Sequence, residues 1–244
     1  MNGMSAMLRK EALEIRYTSR KWVLPAIIVG CAVVSPILTH YLPNIAKGQG
    51  VDATAVGACA TFLSFLSSLV VLSIVSATSG IVSSEVRSGA AVLVLTKPIS
   101  RRAFVLSKII SQSAIVVVAT VIGTAVFAVI THAIFGSLPL VPLLSGVGAW
   151  LALALLYTVL MVVLSARVNS HSAVAGLGVG FYVLLTIAAG WEPLKASSPA
   201  GIAKAAENLV RGSGGTWLGP VVATLVLVVV LTSLSGRIFA HREI

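Results

Sequence analysis

Charge is what this chain has least of. Asp and Glu together number seven and Lys and Arg 17 in 244 residues, so 10% of the chain is charged, against about a quarter in an ordinary soluble domain. With 57% hydrophobic residues and a mean hydropathy of +1.04, that scarcity excludes a soluble globular protein and leaves a polytopic membrane protein. Cysteine is nearly missing too. Cys31 and Cys59 have neither metal-site nor CxxC spacing and read as small packing residues. No GxxxxGK[ST] phosphate loop, HExxH or GxSxG motif occurs, which removes the sequence grounds for a nucleotide site, a zinc protease or a serine hydrolase. His40, His132, His171 and His241 are scattered and read as loop or interface residues. The apolar runs hold almost no ionisable side chains, so they also lack what an intramembrane enzyme uses. The expectation is a chain without enzyme activity, metal or bound cofactor of its own.

What the chain has in quantity is apolar sequence of spanning length. Runs at 22–38, 56–82, 109–135, 141–164, 173–189 and 217–235 approach or exceed the roughly 20 residues that cross about 30 Å of hydrocarbon. The predicted fold is all-α, a single transmembrane domain over 1–244 with six transmembrane helices. Residues 1–21 mix Met4, Met7, Leu8, Leu13 and Ile15 with Arg9, Lys10, Glu11, Glu14 and Arg16, as an amphipathic interfacial helix does. A charged leader before a short apolar run also describes a signal peptide, and Ile28-Val29-Gly30-Cys31 resembles a lipoprotein cleavage site that would lipidate Cys31. The length of the leader, its two Glu and the lack of a small-x-small site weigh against cleavage.

Small polar residues mark two of the runs. In the second, hydroxyls recur at three- and four-residue steps, Ser64, Ser68 and Ser76 among them; they serve either close helix packing or a face lining a substrate pathway. In the fifth, Gly176 and Gly180 have the spacing of a close helix contact. Residues 190–216 then form an extracytoplasmic loop. Within it Ser198-Pro199 reads as a cap and first helical position and Gly212 to Gly215 as a stop. The result is a short helix at 200–211, lying on or dipping into the membrane surface through Ile202, Leu209 and Val210. Trp191 and Trp217 read as interfacial anchors.

Six of the charged residues crowd into residues 84–108: Glu85, Arg87, Lys97, Arg101, Arg102 and Lys108. Ile81, Val82, Val86, Ala90, Leu93 and Val94 recur at helical steps and continue the second span out of the bilayer. Lys97-Pro98 disfavours helix, and Ser100 is placed to cap a new helix starting at Arg101. Helix, bend, helix is a compact element for passing a push from a soluble partner into two spans. With both termini cytoplasmic, thirteen Lys and Arg fall inside and four (Lys47, Lys195, Lys204, Arg211) outside, the asymmetry of the positive-inside rule. The cations are therefore topogenic, and no nucleic-acid partner is implied.

Glu85, Gly89, Leu93, Leu95, Thr96, Pro98, Ile99, Ser100, Arg101 and Lys108 resemble the cytoplasmic loop between the second and third helices of type-2 ABC transporter permeases, the export-type membrane subunits. The chain departs from that pattern at Ala90, where Thr is usual, and at Ser107, where Gly is usual. The six-span layout and basic leader are also similar to that family. The resemblance implies a permease of the bacterial or archaeal cytoplasmic (inner) membrane, working as a homo- or heterodimer with two ABC ATPase subunits. ATP and Mg would be bound by those partners. It assigns ATPase coupling to Glu85, Arg87, Gly89, Thr96, Lys97, Pro98, Ser100, Arg101, Arg102 and Lys108. Glu85 and Arg87 would contact the partner, and Arg101, Arg102 and Lys108 would hold lipid phosphates or acidic partner residues. Export is favoured over import because Glu85 to Gly89 is too close for the importer loop. The alternative is a non-transporting scaffold or assembly subunit that docks a soluble partner through the same loop. A periplasm-only reporter fused after Ile244 is expected to stay silent, and a strong signal there would reverse the topology.

Overall fold

The computed structural model describes residues 7, 9–11, 13, 22–41, 53–87, 101–213 and 215–240, and these are helical apart from short turns and connectors. Six helices are long and apolar enough to cross a membrane: Val23–Tyr41, Ala55–Glu85, Arg102–Phe135, Leu140–Arg167, His171–Ala188 and Leu218–Ser235, called here spans 1 to 6. All six apolar runs are thus helices. Span 3 begins its helix at Arg101 and continues unbroken to Phe135, so Lys108 lies inside that helix rather than at its mouth. Thirty-five residues at 1.5 Å each make it about 50 Å long, well beyond a hydrocarbon core of about 30 Å.

Span 4 is the hub. In its most apolar window 72% of residues are buried, against 11% in span 5 and 17% in span 6. The last two spans therefore offer mostly apolar outer faces, such as Leu184 and Ile187 on span 5 and Val226 and Val229 on span 6. The main core joins spans 1 to 4 through residues such as Ile28, Phe62, Phe127 and Trp150. Phe62 and Phe127 stack with centroids 4.5 Å apart and planes within 9°. Cys31 and Cys59 are buried free thiols, consistent with packing. Spans 1 and 3 meet closely at Gly123, where an added Cβ would lie 2.5 Å from Ile28 Cγ2.

Three local features depart from the sequence reading. Ile81 and Val82, expected to continue the second helix, sit in a turn over 79–82, after which a short helix runs from Ser83 to Arg87. Gly176 and Gly180 meet nothing within 4 Å; the close contact on span 5 is at Gly178, where a Cβ would come 2.5 Å from Met161 Sδ and 2.7 Å from Val75 Cγ1. Spacing identified the helix but not the face, because the contact is set by where span 4 passes. The third is the connector helix Ile202–Arg211. Its entry is as expected, Ser198 Oγ accepting from the Ala200 N–H and Gly212 ending it at φ 65°, a left-handed stop that suits glycine. Its apolar stripe, however, is buried in the main core: Ile202, Ala206 and Val210 pack there with Leu143 and Val147 of span 4.

The polar face of the connector helix carries Glu207, bonded to Lys204 Nζ and Arg211 Nε at 2.9 Å each. Burial alone would raise this carboxyl, but the hydrogen bonds and charges of Lys204 and Arg211 outweigh it and hold the group below its ordinary value. A lowered carboxylate stabilises the fold above its unfolded-state value and loses that contribution as pH falls through the lower folded-state one. Gly123→Val should cost about 1–3 kcal/mol by overpacking the Ile28 contact, whereas Gly148→Ala, with open space around it, should be near neutral. Thermal unfolding in detergent checks both.

Candidate functional site

The densest polar arrangement lies where the turn at 79–82, the start of the span 3 helix and the end of span 4 come together. A second core forms here from Met7, Val82, Phe104, Val105, Ile109, Val162 and neighbours. Its centre is the Lys108 ammonium, 1% exposed, paired with Glu11 Oε1 at 2.7 Å and with Glu85 Oε1. Lys10 Nζ stands 3.5 Å from the same Glu85 oxygen, and Lys108 Nζ lies 5.8 Å over the Phe104 ring. Helical spacing brings Met7 and Glu11 to one side of the leader, so a residue that counted among the polar ones in sequence is itself only 1% exposed.

Isolated, each of these charges would cost several kcal/mol to bury; together they compensate one another. The cluster fastens the leader, the segment leaving span 2 and the helix entering span 3 at one point. Lys108 was expected to reach lipid phosphates or acidic partner residues, and Glu85 a partner; both turn inward to groups of their own chain instead. Arg102 is exposed. Arg87 and Arg101 are the last and first residues of their helices. Gly89, Thr96, Lys97, Pro98 and Ser100 lie outside the described residues.

On the far side of span 2 is an open cleft of about 250 Å³. Ser64, Ser67 and Ser68 of span 2, Leu153 and Tyr157 of span 4, Tyr182 and Thr186 of span 5, and Pro199, Ala200 and Ala203 of the connector line it. Span 2 takes a π-helical turn at Leu66–Val70, a local widening that recurs at functional sites. Ser68 Oγ donates to the Ser64 carbonyl at 2.8 Å and Thr186 Oγ1 to that of Tyr182 at 2.9 Å. Tyr157 is 1% exposed, and its phenol makes no hydrogen bond among the described residues. Ser76 is exposed about two turns beyond Ser68 and does not line the cleft. Among the described residues no group of His, Cys, Asp and Glu is arranged to hold a metal ion.

A family model described as ABC-2 family transporter protein matches residues 5–197, from the leader through all of span 5. The chain belongs to the ABC-2 transporter family. No curated protein matches it. The membership makes it an ABC transporter permease, a multi-pass membrane subunit of a family whose members associate with ABC ATPases, and the buried cluster falls on the permease's match to that family. Glu11 and Tyr157 are residues to which the sequence assigned no functional part. Glu11 alone had a signal: it is one of only seven acidic residues, two of which stand in a leader otherwise rich in cations.

Lys108→Ala leaves the buried Glu11 carboxylate without the cation at 2.7 Å and Glu85 with the more distant Lys10, and should destabilise the permease by roughly 3–5 kcal/mol. Arg102→Ala, at an exposed position, should stay within about 0.5 kcal/mol. Melting midpoints of the purified variants measure the difference.

Proposed function

We propose that this permease is the membrane half of an ATP-driven exporter, dimeric, and powered by two separate ATPase subunits that dock on residues 84–108. The observation that carries the proposal is the Lys108 cluster: a segment joined by buried ion pairs to spans 2 and 3 and to the leader receives force without deforming alone. In this reading the cluster end faces the cytoplasm of a bacterial or archaeal inner membrane, as the positive-inside count favours, with both termini on that side. ATP and Mg sit on the partner subunits. Glu85 and Lys108 act as the internal brace of the coupling segment, Arg87, Gly89, Thr96, Lys97, Pro98 and Ser100 are assigned to ATPase coupling by the family resemblance, and Arg101 and Arg102 meet acidic groups of the ATPase or lipid phosphates.

The cleft supports the transport half of the proposal. Ser64 and Ser68 flank a π-helical turn, and the buried Tyr157 phenol leaves a hydrogen-bonding position open to cargo. The outer faces of spans 5 and 6, with so little buried inside the monomer, are available to a second permease subunit as well as to lipid.

The test is copurification with the cognate ATPase, followed by reconstitution into vesicles. Arg101→Glu with Arg102→Glu should weaken ATPase association about tenfold, near 1.4 kcal/mol, while the permease itself stays folded. Unchanged association and unchanged ATP-driven transport in that variant would defeat the docking assignment.

A further inference from the structure

The turn at 79–82 interrupts span 2 just before the segment assigned to ATPase coupling, and it is gripped from both sides, by the C-terminal end of span 4 and by the first residue of span 5. On the far flank, the backbone N–H groups of Val82 and Ser83 both donate to Ser165 Oγ at 3.1 Å. These N–H groups open the Ser83–Arg87 helix and have no partner within it. Val82, Ser83 and Ser165 are all fully buried, so the Ser165 hydroxyl does the work that water or a local cap does elsewhere. On the near flank, Ser79 Oγ lies 2.9 Å from His171 Nε2. The same hydroxyl donates to the Ser76 carbonyl at 2.9 Å. With that proton on the Ser76 carbonyl, the tautomer that completes the pair has His171 Nε2–H donating to Ser79 Oγ. Between the two flanks, Gly80 faces the imidazole so closely that a Cβ would stand 2.6 Å from His171 Cδ2.

Ser165 lies in the last turn of span 4, which ends at Arg167, and His171 begins span 5. We propose that Ser165 and His171 form a latch on the span 2 break, positioning residues through which displacement of residues 84–108 reaches spans 4 and 5. The proposal rests on the reading of residues 84–108 as the coupling segment. Spans 2 and 3 are joined to that segment covalently; span 4 is joined to it through the Ser165 hydrogen bonds together with the apolar packing of Val162 and Ala166 on Val82 and Phe104, and span 5 through the His171 contact. Span 5 has the least buried surface of the six and so the fewest packing contacts to carry it along by other means. The latch also requires the break itself: a continuous helix would have no free N–H groups for Ser165 to hold.

Spin labels on Val34 and Leu177, exposed positions of spans 1 and 5, report the movement by electron–electron distance measurements in the permease–ATPase complex, with Cys31 and Cys59 replaced by alanine. Binding of ATP should change the Val34 to Leu177 distance in the unmodified latch and in His171→Gln, whose amide keeps a donor near the Nε2 position. The change should be lost in Ser165→Ala and His171→Ala, with ATPase association retained. Persistence of the full change in both alanine variants overturns the latch. A second measurement uses the permease alone: Gly80→Ala drives a methyl into the His171 ring and should shift the same distance without any nucleotide. An unshifted distribution overturns the latch and leaves the ATPase reading standing. An ATPase that fails to associate overturns the ATPase reading, and the Gly80→Ala result then decides the latch.

Discussion

One ammonium group, at Lys108, sets the geometry of the end of the bundle that the functional reading depends on. A buried cation is tolerated only where anions meet it, and the anions here come from two separate places, Glu11 in the leader and Glu85 at the exit of span 2. Neither carboxylate is near Lys108 in sequence. Their convergence requires the leader to fold back on the bundle and the two limbs of the 84–108 segment to be held together at their base. The apolar shell of Met7, Val82, Phe104, Val105 and Ile109 removes water from this junction, which strengthens the attraction and raises the cost of breaking it.

The opposite side of the architecture follows a different constraint. Within hydrocarbon each backbone group must be bonded inside the protein, and the hydroxyls of the spans largely bond to carbonyls one turn back on their own helices, as Thr78, Thr120, Thr158 and Thr224 do. Such hydroxyls neither bridge helices nor disturb them. Tyr157 differs because a phenol is too long to reach back to its own turn, and it therefore presents its oxygen toward the cleft. The connector helix completes that side, amphipathic like a surface helix yet with its apolar stripe seated in the core.

Hydropathy alone made the six spans legible, and the short connector helix was readable from its Ser198-Pro199 entry and Gly212 exit because caps and stops are local chemistry. The start of a helix at Arg101 was readable for the same reason. What could not be read was tertiary. Glu11 and Lys108 are paired across almost a hundred residues, and no periodicity links them. Gly178 rather than the Gly176 and Gly180 pair makes the close approach because the path of span 4, not spacing within span 5, selects the face. Ile81 and Val82 fit a helical stripe but lie in a turn, and a hydroxyl from span 4 caps the helix that follows.

The helix from Arg101 to Phe135 is longer than the hydrocarbon core is thick and contains no proline or chain break, so it forms one continuous rod. Its close approach to span 1 is at Gly123, which makes that residue a fulcrum. From there one arm runs 22 residues to Arg101, about 33 Å, and the other 12 residues to Phe135, about 18 Å. Unequal arms reverse and scale a stroke. A tilt of span 3 about that contact would carry Arg101 and Phe135 in opposite senses, with Phe135 moving roughly half as far.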